Sequence, residues 1–225
     1  MAVLFVSHAS AGAELAAWAT DLPRPRSILV ISSRWRTATL TRGSTGSHPS
    51  SQALKPAPEL ACDLHAIVEV ARDPAQRLDP GASAALAQMF PGADVPVLQL
   101  SVPCGATPSR LHEVGRQLGP LVNRGTMLLA IGGITGDDRG SVDPRRSAAF
   151  DTLVANLLAD GEIEELMAYR RKSPDAGLIH PTSEHIDPLF LATGAASVHD
   201  HAVGFPLRGF AGSASTRCVQ FGRAP

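Results

Sequence analysis

Short apolar runs that end in a polar or glycine residue recur along the chain, and stretches with helical spacing separate them. Val3–Ser7, Ser27–Ser32 and Met127–Ile131 are apolar at nearly every position, as expected for strands that are buried on both faces of a parallel sheet. Ser109–Val122 instead places leucine and valine three or four residues apart, which is typical of an amphipathic helix. This alternation predicts an α/β sheet covered by helices on both faces.

The whole pattern predicts a single α/β domain over residues 1–225, built on a central, mostly parallel sheet. The predicted strands are Val3–Ser7, Ser27–Ser32, Ala66–Val70, Val95–Ser101, Met127–Ile131 and Cys218–Phe221. The predicted helices are Ala11–Thr20, Ser109–Val122, Ala148–Leu158, Glu162–Arg170 and one that Thr182 caps and that runs to about Gly194. Ligands of such sheets bind beyond the carboxyl ends of strands, so His8, Arg34 and Gly136-Asp137 are expected to share one rim.

The segment Thr39–Pro58 is rich in serine, glycine, threonine and proline. This composition predicts a loop, and its length allows it to act as a lid over the site. A plain surface excursion explains the same composition equally well.

Charge and composition narrow the classes of partner. The formal net charge is −1 and no long basic stretch occurs, which argues against nucleic acid and anionic membranes as partners. No apolar run approaches the ~20 residues that span a bilayer. The three cysteines are widely separated and odd in number, which favours a reduced, cytoplasmic setting.

The chain also contains a series of short sequence motifs in a fixed order. Its most distinctive member is the run from His180 to Leu189, HPTSEHIDPL. The other members are His8-Ala9-Ser10-Ala11, Ser32-Ser33-Arg34-Trp35, Leu78-Asp79-Pro80-Gly81-Ala82-Ser83, Met89 to Ser101, Ile134-Thr135-Gly136-Asp137 and the tail from Gly212 to Gly222. Taken in order, the series resembles the class III extradiol ring-cleavage dioxygenases, in the DOPA-dioxygenase-like branch of the LigB superfamily.

The resemblance covers nearly the whole chain, apart from a shortened and altered region between about Thr37 and Leu78. It implies the LigB-type α/β fold and a site where three side chains hold one metal. His8 matches the first ligand of that family and His185 matches the third. His180 and Trp35 also match family residues, so the resemblance implies that they line the substrate pocket, although His180 can instead cap the turn before Pro181 and Trp35 fits a core position as well.

Three other family histidines are replaced in this chain. Arg34 stands where the resemblance places the second metal ligand, and Pro80 stands where a histidine lines the substrate pocket. Gly136 takes the place of the histidine that is thought to act as acid/base. Two histidines make a poor iron site, and a guanidinium stays protonated and has no lone pair to donate to a metal. We therefore expect no metal cofactor.

The same replacements suggest different chemistry. Arg34 puts a fixed positive charge at the former metal position, where it can pair with a phenolate, enolate or carboxylate. His8 and His185 are then free to move protons, and Asp137 or Asp138 can orient one of them or act as a base. This arrangement suits an isomerase, cyclase, lyase or hydrolase that acts on a small aromatic or polyketide-like molecule.

Several alternatives remain open. The two histidines can be structural remnants, and Arg34 can form an ion pair with Asp137. An Fe(II)- or Zn(II)-dependent dioxygenase remains possible if Asp137, Glu184 or His48 supplies the third ligand. The chain can also be a non-catalytic partner subunit of an intact homologue, or a homo-oligomer. A further cluster, His199-Asp200-His201, fits an exposed loop better than a metal site, because it lacks a third ligand.

Overall fold

The computed structural model describes residues 2–10, 12–43, 54–136, 142–199 and 202–222. Within these ranges, strands and helices alternate along the chain. The strands are β1 Val3–Ser7, β2 Ser27–Thr37, β3 Thr41–Arg42, β4 Ala71–Arg72, β5 Val97–Pro103, β6 Thr126–Gly132, β7 Val203–Gly204, β8 Phe210–Ala211, β9 Ala214–Ser215 and β10 Val219–Phe221. The helices are α1 Ala13–Thr20, α2 Pro58–Ile67, α3 Pro80–Met89, α4 Pro108–Asn123, α5 Pro144–Ala159, α6 Ile163–Met167, α7 Tyr169–Lys172, α8 Ala176–Ile179 and α9 Asp187–Ser197.

An eight-stranded sheet forms the centre of the described structure, in the order β4-β3-β5-β2-β6-β1-β10-β7. Its four middle strands, β5, β2, β6 and β1, run parallel to one another. β10 and β7 then continue the sheet in antiparallel pairing. The middle strands are buried almost throughout, as their continuous apolar sequences predict. Their carboxyl ends meet at one edge of the sheet, where His8 follows β1 and Gly133 follows β6.

Helices cover both faces of the sheet, as the sequence predicts. The larger apolar core packs α2, α4, α5 and α9 against one face, and a smaller core packs α1 and α3 against the other. The side chains of successive residues in β1 and β6 contribute alternately to the two cores, because neighbouring side chains of a strand point to opposite faces. The predicted α/β architecture is confirmed.

Helices α4 and α9 approach each other so closely that glycine is required at their crossing. A Cβ atom added at Gly194 would lie 1.9 Å from the carbonyl oxygen of His112, and one added at Gly115 would lie 2.1 Å from that of Leu191. Real side chains cannot approach backbone atoms at these distances. The close crossing holds α9 against the sheet, and it thereby fixes the position of His185, which immediately precedes this helix.

The predicted strand Ala66–Val70 is wrong. Helix α2 runs from Pro58 to Ile67, and the strand that follows is only Ala71–Arg72. Proline in the first turn and two buried leucines four residues apart, Leu60 and Leu64, favour the helix. At the end of α2, Ala66 is exposed and Ile67 is partly buried, and a short apolar run alone does not separate helix from strand.

The predicted cap at Thr182 is also wrong, because α9 begins at Asp187 with Pro188 in its first turn. The preceding residues form a turn in which the carbonyl of Ser183 accepts hydrogen bonds from the amides of Ile186 and Asp187. The predicted helix Glu162–Arg170 is divided into α6 and α7.

The predicted loop Thr39–Pro58 contains the short strand β3 and leads into α2 at Pro58. Residues 44–53 of this segment lie outside the described residues, so its role as a lid stays a prediction. No helix in the described ranges is long and apolar enough to cross a membrane.

Candidate active site

Two histidines that are distant in sequence come together at the carboxyl edge of the sheet. The amide of His8 donates to the carbonyl of Gly132, 2.8 Å away, which extends the β1–β6 pairing by one residue. His185 precedes α9, and the two imidazole centroids lie 5.0 Å apart with their planes at 47°. Both side chains are half-buried. A single ligand group can therefore contact both rings.

The glycine pair after β6 makes this approach possible. The amide of Gly133 donates to the carbonyl of His185 at 2.8 Å. A Cβ atom at Gly132 would lie 2.3 Å from that same carbonyl oxygen, and one at Gly133 would lie 2.9 Å from Cε1 of His8. The two glycines thus allow the backbone before α9 and the ring of His8 to lie against the end of β6.

His180 lies close to this edge but is fully buried. Its Nε2 lies 2.7 Å from the carbonyl oxygen of Ile134, and because a carbonyl only accepts, we assign the ring proton to Nε2. The rings of Phe150 and Tyr169 meet it edge-on, with centroids 5.5 Å and 6.0 Å away. Burial lowers the pKa of His180 to about 4, so the ring is neutral at physiological pH.

Gly136, where the resemblance places a family histidine, lies directly against His180. A Cβ atom at Gly136 would be 2.7 Å from Nδ1 of His180 and 3.0 Å from the carbonyl oxygen of Ile179. The absence of a side chain at position 136 therefore leaves no gap, because the imidazole of His180 packs against that position.

Arg34 lies on the side of the sheet that faces α3. Its side chain is exposed, and its Nε lies 3.5 Å from the position that a Cβ atom would take at Gly81. Within the described part of the chain its guanidinium forms no hydrogen bond or ion pair. The neighbouring Trp35 is buried, and its indole lies 3.5 Å from the corresponding position at Gly43.

A bulge in β2 brings a different arginine to the face of α9. Ile31 lies opposite Leu100 and Arg36 lies opposite Val102, so β2 uses five residues where β5 uses two. This irregularity breaks the simple alternation of side chains. Motif comparison did not single out Arg36, because the bulge depends on the pairing with β5 and has no signal in the sequence of β2 alone.

Arg36 forms an ion pair with Asp187, the first residue of α9. Its Nη2 lies 2.8 Å from Oδ2 of Asp187, and the carboxylate is completely buried while 14% of the arginine side chain is exposed. Burial raises the pKa of Asp187, and the positive charge of Arg36 opposes that shift. A cation and a carboxylate thus lie at the strand ends, and the carboxylate belongs to the residue two positions after His185.

A second buried ion pair stabilises the strand end that carries His8. The carboxylate of Asp151 accepts hydrogen bonds from Arg217 Nη2 and from Ser215 Oγ, both at 2.6 Å. The hydroxyl of Ser7 donates to the carbonyl of Ser215, also at 2.6 Å. Because Ser7 immediately precedes His8, this network fixes the backbone that positions the imidazole.

Some predicted site residues cannot be assigned a position. Asp137, and with it Asp138, lies outside the described residues, and so does His48. In the cluster His199-Asp200-His201, only His199 is described. The roles predicted for these residues stay predictions.

Comparison with known proteins identifies the family. The chain is 32% identical over 205 residues to the 4,5-DOPA dioxygenase extradiol of Beta vulgaris, and the match covers 80% of this chain and 76% of that protein. The chain belongs to the 4,5-DOPA extradiol dioxygenase family. The extradiol dioxygenase of Escherichia coli strain K12 bearing the same name is 28% identical, over 89% of this chain and 84% of its own length. No family model matches the chain.

A solved structure confirms the fold of this chain. The crystal structure of an uncharacterized protein from Escherichia coli K12 superposes with a TM-score of 0.86 at 28% identity, and it covers 99% of this chain and 100% of that chain. The resemblance drawn from the motif series and the LigB-like fold it implied are both confirmed.

The described residues do not fit the iron centre that the family implies. Among them, no group of three histidine, cysteine, aspartate or glutamate side chains is arranged to hold a metal ion. His8 and His185 are adjacent, but the resemblance places the second ligand at Arg34, whose guanidinium has no lone pair to offer. The side chain of Asp187, which lies near His185, is already paired with Arg36.

Proposed function

We propose that this extradiol-dioxygenase-like protein binds and transforms a small aromatic or polyketide-like molecule by acid/base chemistry that needs no metal. The observation that carries the proposal is the pair of half-buried imidazoles, His8 and His185, whose centroids lie 5.0 Å apart. Imidazole is the side chain best suited to exchange protons near neutral pH.

In this proposal one ring removes a proton from the bound molecule while the other donates a proton at a nearby atom. Such paired transfer shifts a double bond along an enolisable ketone, and it also assists ring closure, elimination or hydrolysis. The carbonyl of His185 accepts a hydrogen bond from the amide of Gly133, and the amide of His8 donates one to the carbonyl of Gly132. These contacts fix the backbone that carries both rings before the ligand binds, so less entropy is lost in the reactive arrangement.

The replacement of the second ligand by arginine supports chemistry of this kind over ring cleavage. Loss of a ligand weakens a metal site strongly, since even the loss of outer-shell partners costs about 10–100-fold in affinity. The side chains that remain favour proton transfer and charge stabilisation.

The test uses an aromatic ketone of polyketide type, 2,4-dihydroxyacetophenone, in D2O with a chelator present. Proton NMR follows the exchange of its methyl protons. We expect the protein to accelerate exchange, and we expect His8→Asn and His185→Asn each to reduce the rate about 100-fold or more. The control is His65→Asn, an exposed histidine on α2, which should leave the rate unchanged.

Two results would contradict the proposal. One is exchange at the same rate in both site variants. The other is a protein that is inactive with chelator and consumes dioxygen with a catechol after Fe(II) is added, which would establish a metal-dependent dioxygenase whose third ligand comes from elsewhere in the chain.

A further inference from the structure

A cavity lies at the edge of the sheet opposite the two histidines. Its volume is about 430 Å³, which is in the range of small-molecule sites. β2 begins at Ser27, β6 begins at Thr126 and β5 begins one residue after Pro96, and these three residues line the cavity together with the start of α2. The cavity therefore lies at the amino ends of the parallel strands and is separate from the candidate active site.

The walls of the cavity are apolar and rigid. The apolar side chains among its lining residues are Pro56, Ala57, Pro58, Leu60 and Pro96. Proline rings restrict the backbone of this lining. The amide of Val97 donates to the carbonyl of Lys55 at 3.0 Å, which holds the chain before α2 against β5. The walls are thus formed before a ligand binds, and they suit an aliphatic group.

A pair of hydroxyl groups belongs to the same lining. Oγ of Ser27 lies 3.0 Å from Oγ1 of Thr126, because the two residues are partners in the β2–β6 pairing. The hydrogen bond between them uses one of the two hydroxyl protons. The other proton has no acceptor among the residues that the structure describes, so the pair can donate to an oxygen atom of a ligand.

Arg26 adds a positive charge next to this hydroxyl pair. Gly125 has a φ of 89°, and a Cβ atom there would lie 2.9 Å from Cδ of Arg26, so a glycine leaves room for the arginine side chain. Nη2 of Arg26 lies 4.0 Å from Oε2 of Glu59, which is beyond hydrogen-bond distance. The side chains are 76% and 91% exposed, and a ligand can therefore reach both charges.

The charges around the cavity are balanced. Its lining contains two arginines, Arg26 and Arg124, and two carboxylates, Glu59 and Asp63. Arg124 and Asp63 pair with each other at 2.5 Å, whereas Arg26 and Glu59 are held apart. A purely anionic ligand would face the charge of Glu59 and a purely cationic one that of Arg26. A zwitterion can pair with both.

We propose that this cavity binds a free α-amino acid with an aliphatic side chain. The α-carboxylate accepts hydrogen bonds from Arg26 and from the hydroxyl pair of Ser27 and Thr126. The α-ammonium group donates to Glu59, and the aliphatic side chain lies against the prolines and Leu60. This site is distinct from the one that contains His8 and His185, and it does not depend on the proposed acid/base function.

Three probes of similar size test the site by isothermal titration calorimetry. L-Leucine has both charged groups, 4-methylpentanoate lacks the amino group, and 3-methylbutylamine lacks the carboxylate. The titrations are done at low ionic strength, because salt screens exposed charges. We expect leucine to bind about tenfold more tightly than either of the other probes, because only leucine pairs with both charges.

Two single variants separate the contacts. Arg26→Gln should weaken leucine binding about tenfold, and Glu59→Gln should reduce the affinity for leucine to that for 4-methylpentanoate. Both side chains are exposed, so both variants should fold like the parent. The matched control is Arg24→Gln, which removes a nearby exposed arginine that pairs with Asp94 and does not line the cavity. It should bind leucine like the parent.

A further control locates the ligand. The double variant His8→Asn and His185→Asn should bind leucine like the parent, because these histidines lie at the other edge of the sheet. A loss of leucine binding in this variant would overturn the site, as would the absence of leucine binding by the parent or equal affinity for leucine in Arg26→Gln and the parent. The acid/base proposal has its own test in methyl-proton exchange, which these outcomes leave unaffected.

Discussion

The fully buried His180 should make the folding stability of this protein decrease in mild acid. In the folded chain its pKa is about 4, against 6.5 for a free imidazole, because burial disfavours the charged ring. The unfolded chain therefore binds a proton at a higher pH than the folded chain does. The stabilising contribution is complete above about pH 6.5 and is lost as the pH falls through about 4.

The magnitude follows from the size of the shift. A difference of about 2.5 pKa units at about 1.4 kcal/mol per unit corresponds to about 3 kcal/mol in total. Between pH about 7 and pH about 4.5, roughly 2 kcal/mol of this should be lost. That is a large part of the stability of an ordinary domain, about 5–15 kcal/mol.

The assay is urea unfolding at these two pH values for the parent and for His180→Gln. Glutamine keeps an N–H group that can reach the carbonyl of Ile134, but it does not titrate. Other groups, including His112, whose pKa burial also lowers, contribute equally to both proteins. The parent should lose roughly 2 kcal/mol more than the variant on acidification, and parallel losses in the two proteins would refute the reasoning.

The remaining predictions concern packing and buried charge. Gly194→Ala should destabilise the fold by about 3 kcal/mol or more, because its Cβ would lie 1.9 Å from the carbonyl oxygen of His112; Gly177→Ala, which meets nothing within 4 Å, should be nearly neutral in the same thermal melts. Asp151→Ala should cost about 3–5 kcal/mol in urea unfolding, because it leaves the guanidinium of Arg217 buried and unpaired. Adding Arg217→Met should recover much of that loss, and a double variant no more stable than Asp151→Ala would contradict this explanation.

The central strands could be predicted from sequence because parallel strands buried on both faces must be continuously apolar. Val3–Ser7 was predicted with the bounds it has in the structure, and Met127–Ile131 lies within β6. The bulge in β2 could not be predicted, because it arises from the register of that strand against β5. The strand prediction for Ala66–Val70 was wrong because five residues are too few to distinguish the periodicity of a strand from that of a helix.

The candidate site was predictable in part. His8 was expected at the rim because it follows a central strand, and His185 was expected beside it because the resemblance makes both residues metal ligands; their rings are adjacent. The pair of Arg36 and Asp187 could not be foreseen, because the bulge decides where the arginine lies. The ion pair of Asp151 and Arg217 could not be predicted either, because the two residues are 66 positions apart in sequence and no local pattern marks them.

The proposed metal-free chemistry requires that His8 and His185 do not hold iron. Anaerobic titration of the purified protein with Fe(II) measures this by calorimetry and by metal analysis after gel filtration. We expect no stoichiometric iron, and no change in the weak residual signal when both histidines are replaced by alanine. One equivalent of tightly held iron that is lost in His8→Ala and in His185→Ala would rule out the metal-free proposal.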